Sequence, residues 1–427
     1  MRAIGNETTI QVLDCVGFPH SLGIFYTAMT QFLGFPNYGD EYKVMGLSAY
    51  GKPVLIDKLR DIVILKENGL FEINCSYFLH DKQGVEMLWE NGSPSISRIF
   101  SNKLTEAFGP SRNKTDEITQ LHKDLSATVQ FIYEESFFHI LNDTYEKIKS
   151  KNLCLAGGCI QNSLANGKIF SRTKFTDIYI PPAAYDAGTA IGAAMVAWYE
   201  ESKSSKRNFV INSPYWGPSF KLNEIKSVLE NYTDELNPNN YKIKLFNDEK
   251  ELCIQAAKEI SEGKIVGWFQ GRTELGPRAL GNRSILADPR KKDMKEILNA
   301  RIKRRESFRP FAPSILEEKC YEWFELGQKV PFMEKVYPIR TEKQKFIPSV
   351  CHEDGTGRLQ TVSRETNPRY HLLIKCFEEL TEVPIILNTS FNDNEPIVNT
   401  PKDAIECFLK TKMDVLVIGD FLITKDL

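Results

Sequence analysis

The sequence predicts an α/β protein in two domains, and three stretches carry that expectation. From Asp124 to Ile148 apolar residues recur at three-to-four spacing, the pattern of a long helix with a buried face. That helix runs into a short apolar strand, Asn152 to Ala156, ending in the pair Gly157 and Gly158. A second strand, "DIYI", leads through "PPAAYD" into "AGTAIGAAMVAWYEE", a helix whose small residues permit close backbone approach. Near the end of the chain "VPIILNTS" reads as a strand, "TPKDAIECFLKT" as a helix capped by Thr400 with Pro401 at its first position, and "DVLVIGDFLI" as one further strand. Strands and helices in alternation are the signature of α/β architecture.

The division into two domains rests on length and on one break. With 427 residues, 42% of them hydrophobic, the chain can bury a substantial core and exceeds one average domain. The segment "SKSSKRNFVINSPYWGPSFKLNE", residues 202–224, is polar and then rich in Pro, Gly and aromatics, which breaks both periodicities. The expected layout is a first domain over 1–204, a linker and start of the second domain over 205–245, and the second domain over 246–427. Beyond the break a helix from about Lys250 to Glu262 precedes the strand "KIVGWFQ". Nine cysteines without paired metal-ligand spacing read as ordinary thiols. No run of eighteen apolar residues occurs, and "MRAIGNETTI" lacks the apolar core of a secretory signal, so a cytoplasmic location and no membrane partner are expected. A net charge of -2 and the lack of aromatic-basic repeats argue against a nucleic-acid partner.

Against that neutral background, residues 267–290 hold four arginines and four glycines. Gly271, Gly276 and Gly281 interrupt any simple helix, Arg272, Arg278 and Arg283 are spaced through the turns, and Pro277 suits a first helical turn whose backbone donors could face an anion. A second concentration, "NARIKRRESFRPFAPS", carries Arg301, Lys303, Arg304, Arg305 and Arg309, the last held between phenylalanines and prolines. Arginine grips two phosphate or carboxylate oxygens with one planar fork, so these stretches point to a phosphate-bearing substrate. The alternative is a set of surface salt bridges with Glu274, Asp288 and Glu306.

Three smaller features complete the candidates. The Gly157–Gly158 turn with Asn162 at a helix start could receive a nucleotide, or be no more than a tight strand-to-helix turn. Asp186, after a strand and before the small-residue helix, could ligate a metal or cap that helix, while His20 belongs to no paired histidine motif. Late in the chain, His352 lies in "CHEDGTGRLQTVSRETNP" and Asn388, Ser390 and Asn392 in "ILNTSFNDNEPI", hydrogen-bonding elements that could converge on the arginines or serve as turn caps.

Taken together, "GRTELGPRALGNRSILADPR", "FRPFAPSIL", "HEDGTGRLQTV", "LNTSFNDNEPI" and "DVLVIGDFLI" resemble the C-terminal domain of O-carbamoyltransferases of the nodulation, aminoglycoside and cephamycin type. "FPHSLGIFYTAMTQFLGF", "DEYKVMGLSAYGKP", "LCLAGGCIQNSLANGKI" and "YIPPAAYDAGTAIGAA" resemble the latter part of that family's N-terminal domain. The resemblance implies a partial actin/ASKHA (Kae1-like) domain followed by a YrdC-like domain. It implies that carbamoyl phosphate and ATP, with Mg2+, form a carbamoyl-adenylate with release of pyrophosphate, after which a hydroxyl of a sugar or specialised metabolite accepts the carbamoyl group. On this reading Arg278, Arg283, Arg309 and His352 are catalytic; Gly157, Gly158, Asn162, Arg272, Asn388, Ser390 and Asn392 contact nucleotide; and Asp186 binds a divalent metal such as Fe2+. The family's closely spaced histidines have no counterpart before His20, so the chain is expected to lack the first part of its N-terminal domain. A separate N-terminal half and a homodimer are then candidate partners beside carbamoyl phosphate and the acceptor. The alternative is a noncatalytic nucleotide-binding or assembly subunit, or an inactive truncated product.

Overall fold

The structure, a computed structural model, describes residues 1–89, 94–207 and 209–425. It divides into two compact units, Met1–Val210 and Ile211–Leu427.

The first unit begins with an antiparallel hairpin, β1 (Arg2–Asn6) and β2 (Thr9–Asp14), in which Ala3 faces Val12 and Gly5 faces Ile10. Arg2 fastens it: the buried guanidinium donates to Asp14 Oδ1 at 2.6 Å and pairs with Asp143. Helices α1 (Leu22–Phe32) and α2 (Glu41–Leu47) pack on the long helix α3 (Gln120–Ile148). The start of α3 precedes the apolar periodicity by a turn because Thr119 and His122 close its end, with the Thr119 amide donating to His122 Nδ1 at 3.0 Å. Its buried Val129, Ile132, Tyr133, Phe137 and Leu141 keep the expected spacing. Two parallel strands follow, β3 (Asn152–Cys154) and β4 (Asp177–Tyr179), and then α4 (Thr189–Ser202).

The second unit is built on one eight-stranded mixed sheet. Its first elements are α5 (Leu222–Glu230), β5 (Tyr241–Leu245) and α6 (Glu249–Ser261), the last capped by Asp248, which accepts from the Glu251 amide at 2.8 Å. Strands β6 (Val266–Phe269), β7 (Arg283–Ala287), β8 (Ala312–Leu316) and β9 (Gln360–Val362) follow. The chain ends with α7 (Pro368–Thr381), β10 (Ile385–Ser390), α8 (Pro401–Lys410), β11 (Val415–Ile418) and β12 (Phe421–Lys425). The strand order is β9-β8-β10-β7-β6-β11-β12-β5, with β6 parallel to β11, β8 parallel to β9 and every other neighbour antiparallel.

Every residue of β6, β7, β8 and β11 is buried, as expected of strands covered on both faces. Trp268, Ile285, Leu286, Phe377 and Leu416 lie in one continuous core, and the Trp268 indole donates to the Gly281 carbonyl at 2.9 Å. The stretch "DVLVIGDFLI" is two strands rather than the single one predicted: Gly419 takes φ 56°, a left-handed turn that reverses the chain so that Ile418 faces Phe421. Among the described residues no helix is long and apolar enough to cross a membrane.

Candidate active site

The arginine-rich stretch leaves β6 and re-enters the sheet as β7 without forming a helix, so Pro277 does not open one. The backbone donors expected to face an anion already have one inside the protein. Glu274 Oε1 accepts from the amides of Leu280 at 2.7 Å, Asn282 at 2.8 Å and Arg283 at 3.1 Å. A carboxylate gathering three N–H groups holds the loop closed more firmly than a helix cap, which satisfies one or two. At the end of this loop Gly281 has φ 103°, and a Cβ there would stand 2.1 Å from Tyr370 Cδ1.

Arg283 is fully buried, and its guanidinium turns to main-chain carbonyls. It donates to Gln270 and, at 3.1 Å, 3.3 Å and 3.4 Å, to the carbonyls of Asn282, Gly271 and Pro218, while it lies 3.7 Å over the Phe269 ring. Burial pushes it down to about 10, and Glu274 partly offsets that. The structure therefore gives Arg283 the work of joining loop ends. Arg272, exposed, donates to the Trp216 carbonyl at 2.8 Å.

The second basic stretch is where charge converges. After a short helix, Met294–Leu298, residues Asn299–Lys303 make a π-helical turn that ends at Arg304 with φ 43°. This turn drives the Lys303 ammonium into the protein, beside the end of β10, where Ser390 O at 2.6 Å, Asn392 Oδ1 at 2.7 Å and Asn392 O at 2.8 Å accept from it. These acceptors are neutral. Burial, reinforced by Arg305, accordingly holds the Lys303 pKa well below that of a free lysine, against smaller opposing effects of Cys407 and Asp393. Ser390 and Asn392 are thus the cradle of a lysine, and Ser390 Oγ also donates to Asn392 Oδ1 at 2.7 Å.

Arg305 stands 4.6 Å over the Phe311 ring with its Nε on Asn299 Oδ1 at 2.8 Å, and Arg309 reaches Glu306 at 3.6 Å. Arg278, Arg305 and Arg309 all act on Arg358: after burial, their three positive charges are what lowers its pKa far below the ordinary arginine value. The Arg358 Nε is shut from solvent without a hydrogen-bond partner. His352 lies in the same field. Burial holds its ring neutral, Asp354 opposes that and Arg358 and Lys295 add to it; Nδ1 meets Thr356 Oγ1 at 3.1 Å and Nε2 is buried without a partner. Like charges brought together and partly desolvated raise one another's cost.

Asn388 supports the arginine loop from beneath. Its buried Nδ2 donates to Ser314 Oγ at 3.0 Å, Gln360 Oε1 at 3.2 Å and the Ala279 carbonyl at 3.3 Å, and Gln360 Nε2 donates to the Leu280 carbonyl at 2.7 Å. Of the predicted residues, then, Arg278 and Arg309 share the electrostatic field of Arg358, which in turn acts on His352, while Ser390 and Asn392 anchor Lys303. Arg283 and Asn388 stand behind the loop. Lys303, Arg305 and Arg358 join this group without having been singled out; the first two sat in the quoted basic stretch and Arg358 in the His352 motif, and what relates them is tertiary. The salt-bridge alternative holds for Arg290, whose Nη2 meets Asp288 at 2.7 Å, and for Arg309 in part.

In the first unit the Gly157–Gly158 turn is open: Gly157 has φ 109°, and a Cβ at either glycine would meet nothing within 4 Å. Asn162 is otherwise engaged. Its Oδ1 caps the helical turn Ser163–Gly167 by accepting from the Ala165 amide at 3.1 Å, and its Nδ2 donates to Gln130 Oε1 at 2.9 Å. Asn162→Ala should consequently lower the stability of this unit by about 1 kcal/mol, the usual worth of a cap, in a urea melt followed by far-UV dichroism. Asp186 is exposed, and the residue capping α4 is Gly188, so its carboxylate is not the helix cap. Among the described residues no group of three His, Cys, Asp or Glu side chains stands together as a metal site. The donor set around Asp186 thus does not fit a closed metal centre.

Residues 3–195 match the carbamoyltransferase N-terminus family and residues 257–425 the carbamoyltransferase C-terminus family. The nodulation protein NolO of Bradyrhizobium diazoefficiens is 41% identical over 431 residues, which span all of this chain and 73% of that protein. The chain belongs to the carbamoyltransferase family. It is thus an enzyme of the transferase class by descent, as the sequence motifs implied. The nodulation protein NolNO of Sinorhizobium fredii is 41% identical across the whole carbamoyltransferase chain, which spans 58% of its length. A Synechocystis protein without assigned function is 39% identical over 96% of the chain and 68% of its own length. Because the N-terminus match runs from residue 3, the N-terminal domain of this carbamoyltransferase is present, and the expectation that its first part is lacking finds no support.

Proposed function

We propose that in the second unit carbamoyl phosphate gives its phosphoryl group to water, that the carbamate so formed takes the adenylyl group of ATP with release of pyrophosphate to give a carbamoyl-adenylate, and that the protein passes the carbamoyl group to a hydroxyl of a sugar or specialised small molecule, with AMP leaving as the hydroxyl loses its proton. What supports this is a basic neighbourhood drawn from three segments: the charges of Arg278, Arg305 and Arg309 act on Arg358, whose Nε is buried without a partner, and those of Arg305 and Arg309 act on Lys303, whose buried ammonium is held by Ser390 and Asn392. Both substrates are polyanions, and joining them brings more negative charge to one place than either has in solution. Guanidinium groups fixed in advance stabilise that charge without reorganising, which is the largest single contribution in many such reactions. Lys303 and Glu274 contribute by position: one holds the Ser390–Asn392 turn, the other holds the arginine loop. The neutral His352 ring, with a buried Nε2, can accept or donate one proton at the edge of the cluster.

Transfer to the acceptor is assigned to the first unit, whose Gly157–Gly158 turn leaves room for close approach. The finer description of the units as Kae1-like and YrdC-like belongs to this proposal too; the large mixed sheet is compatible with it. The test is carbamoyl-phosphate-dependent exchange of labelled pyrophosphate into ATP by the purified chain. Exchange that needs both carbamoyl phosphate and magnesium is expected. A protein that binds ATP without any exchange would overturn the activation reading and leave a noncatalytic nucleotide-binding role.

A further inference from the structure

The second unit begins at Ile211, and residues 214–218, through which the chain enters it, are bonded along the arginine-rich loop. The main-chain bonds run in both directions. The Gly217 amide donates to the Thr273 carbonyl at 2.9 Å, the Thr273 amide to the Pro218 carbonyl at 2.9 Å, and the Leu275 amide to the Pro214 carbonyl at 2.6 Å. Tyr215 and Glu274 stand opposite each other as an antiparallel pair. This short ladder is close: a Cβ at Gly217 would stand 2.7 Å from Thr273 Cβ and 3.0 Å from the Thr273 carbonyl oxygen, an approach that glycine permits. Arg272 and Arg283 add side-chain bonds to the same stretch, on the carbonyls of Trp216 at 2.8 Å and Pro218 at 3.4 Å.

The tyrosine of this ladder reaches past it to the far side of the loop. Its hydroxyl donates to the Leu280 carbonyl at 2.8 Å, and its ring packs on the cluster of Leu280, Ala312, Phe332 and Met333. Burial, and after it the Glu274 charge, raises the pKa of Tyr215 above that of a free tyrosine, so the hydroxyl stays a donor near neutral pH. Leu280 stands two residues beyond Arg278, and its amide is on the Glu274 carboxylate at 2.7 Å. The connections therefore close into a ring: the entry segment pairs with the Glu274 backbone, the Glu274 side chain holds Leu280, and Tyr215 ties Leu280 back to the entry segment. Arg278 lies between the two anchored points, Glu274 and Leu280.

We propose that Tyr215 is a positioning residue for the proposed activation site, fixing where Arg278 stands by joining the entry segment to Leu280. The inference deepens the activation reading and rests on it for the identity of the ligand. Residues 214–218 cannot be drawn away without parting Leu280 from Tyr215 or Thr273 from Gly217, so a displacement there is felt at Arg278. A guanidinium that stabilises charge must stand in place before the ligand arrives, and misplacement by about 1 Å can cost on the order of 100-fold.

The test uses the full chain and two variants that replace neither an arginine nor Glu274. Tyr215→Phe keeps the ring and removes one hydrogen bond, while Gly217→Ala forces the ladder apart. Ser219→Ala, at an exposed position just past the ladder, is the control. Binding of magnesium pyrophosphate is followed by calorimetry well below the melting temperature, beside the exchange of labelled pyrophosphate into ATP. Tyr215→Phe and Gly217→Ala should each bind pyrophosphate about 10- to 100-fold more weakly, with the control unchanged. Amides of Leu280, Asn282 and Arg283 should exchange hydrogen at least about 10-fold faster in both. A tyrosine that only supports the fold would lower the melting temperature and leave the affinity of the folded protein as it was, and that result overturns the proposal. Weakened binding in the variants, beside a parent that binds pyrophosphate but performs no exchange, supports the positioning role and overturns the activation reading. Exchange by the parent with unaltered affinity in both variants does the opposite. A parent that neither binds pyrophosphate nor exchanges it overturns both.

Discussion

Arg358→Met should melt no lower than the parent protein, and by about 1 kcal/mol higher, while carbamoyl-phosphate-dependent pyrophosphate exchange falls by on the order of 10²- to 10³-fold. The two halves of that result have one cause. Arg358 is held among Arg278, Arg305 and Arg309 with its Nε lacking a partner, so its charge is a cost to the free protein. Methionine keeps much of the volume and removes the repulsion. The same charge is what an incoming polyanion meets. Thermal unfolding and initial exchange rates on one preparation check both, and a variant that is less stable yet fully active would assign Arg358 to the scaffold.

Arg283→Ala should do the reverse. Here the guanidinium is fully enclosed and holds the carbonyls of Gln270, Gly271, Asn282 and Pro218. Alanine leaves those acceptors without donors and opens a cavity under Phe269; each effect costs about 1 to 3 kcal/mol, and together they should take on the order of 3 to 5 kcal/mol from the second unit. Arg283→Lys should recover little, since an ammonium cannot reach carbonyls spread around a planar fork. Urea unfolding followed by tryptophan fluorescence suits the measurement because Trp268 is buried beside the loop. A shift of the midpoint too small to measure would return Arg283 to the ligand-facing role.

The contrast between Arg283 and Arg358 shows what the sequence could and could not convey. Periodicity and capping were local, and so α3, α8 with Thr400 and Pro401, and the strands β6 and β10 were legible. The single strand read into "DVLVIGDFLI" hid a turn because only the pair Gly419–Asp420 marks it, with apolar residues on either side of that pair. In the candidate site, an arginine in a glycine-rich loop looks the same in sequence whether it faces a ligand or ties the loop shut. Which way it turns depends on Gln270, Gly271 and Pro218 arriving around it. Glu274 was weighed as a salt-bridge partner, yet it binds amides; nothing in the order of residues distinguishes a carboxylate that finds a cation from one that finds three N–H groups. Lys303, likewise, reads as one basic residue in a run of them until the fold buries it.

The π-helical turn at Asn299–Lys303 has a bearing on how this sequence can vary. A helical turn that holds one residue more than its neighbours stores that residue as angular offset, and each residue in an α-helix advances the next by about 100° around the axis. Loss of a single residue from the turn would therefore carry the Lys303 side chain out of its alcove without altering any side chain's chemistry, and a swap of Ala300 or Arg301 for another residue would not. Spacing between Leu298 and Lys303, rather than the identity of what lies between, is the quantity this stretch has to keep.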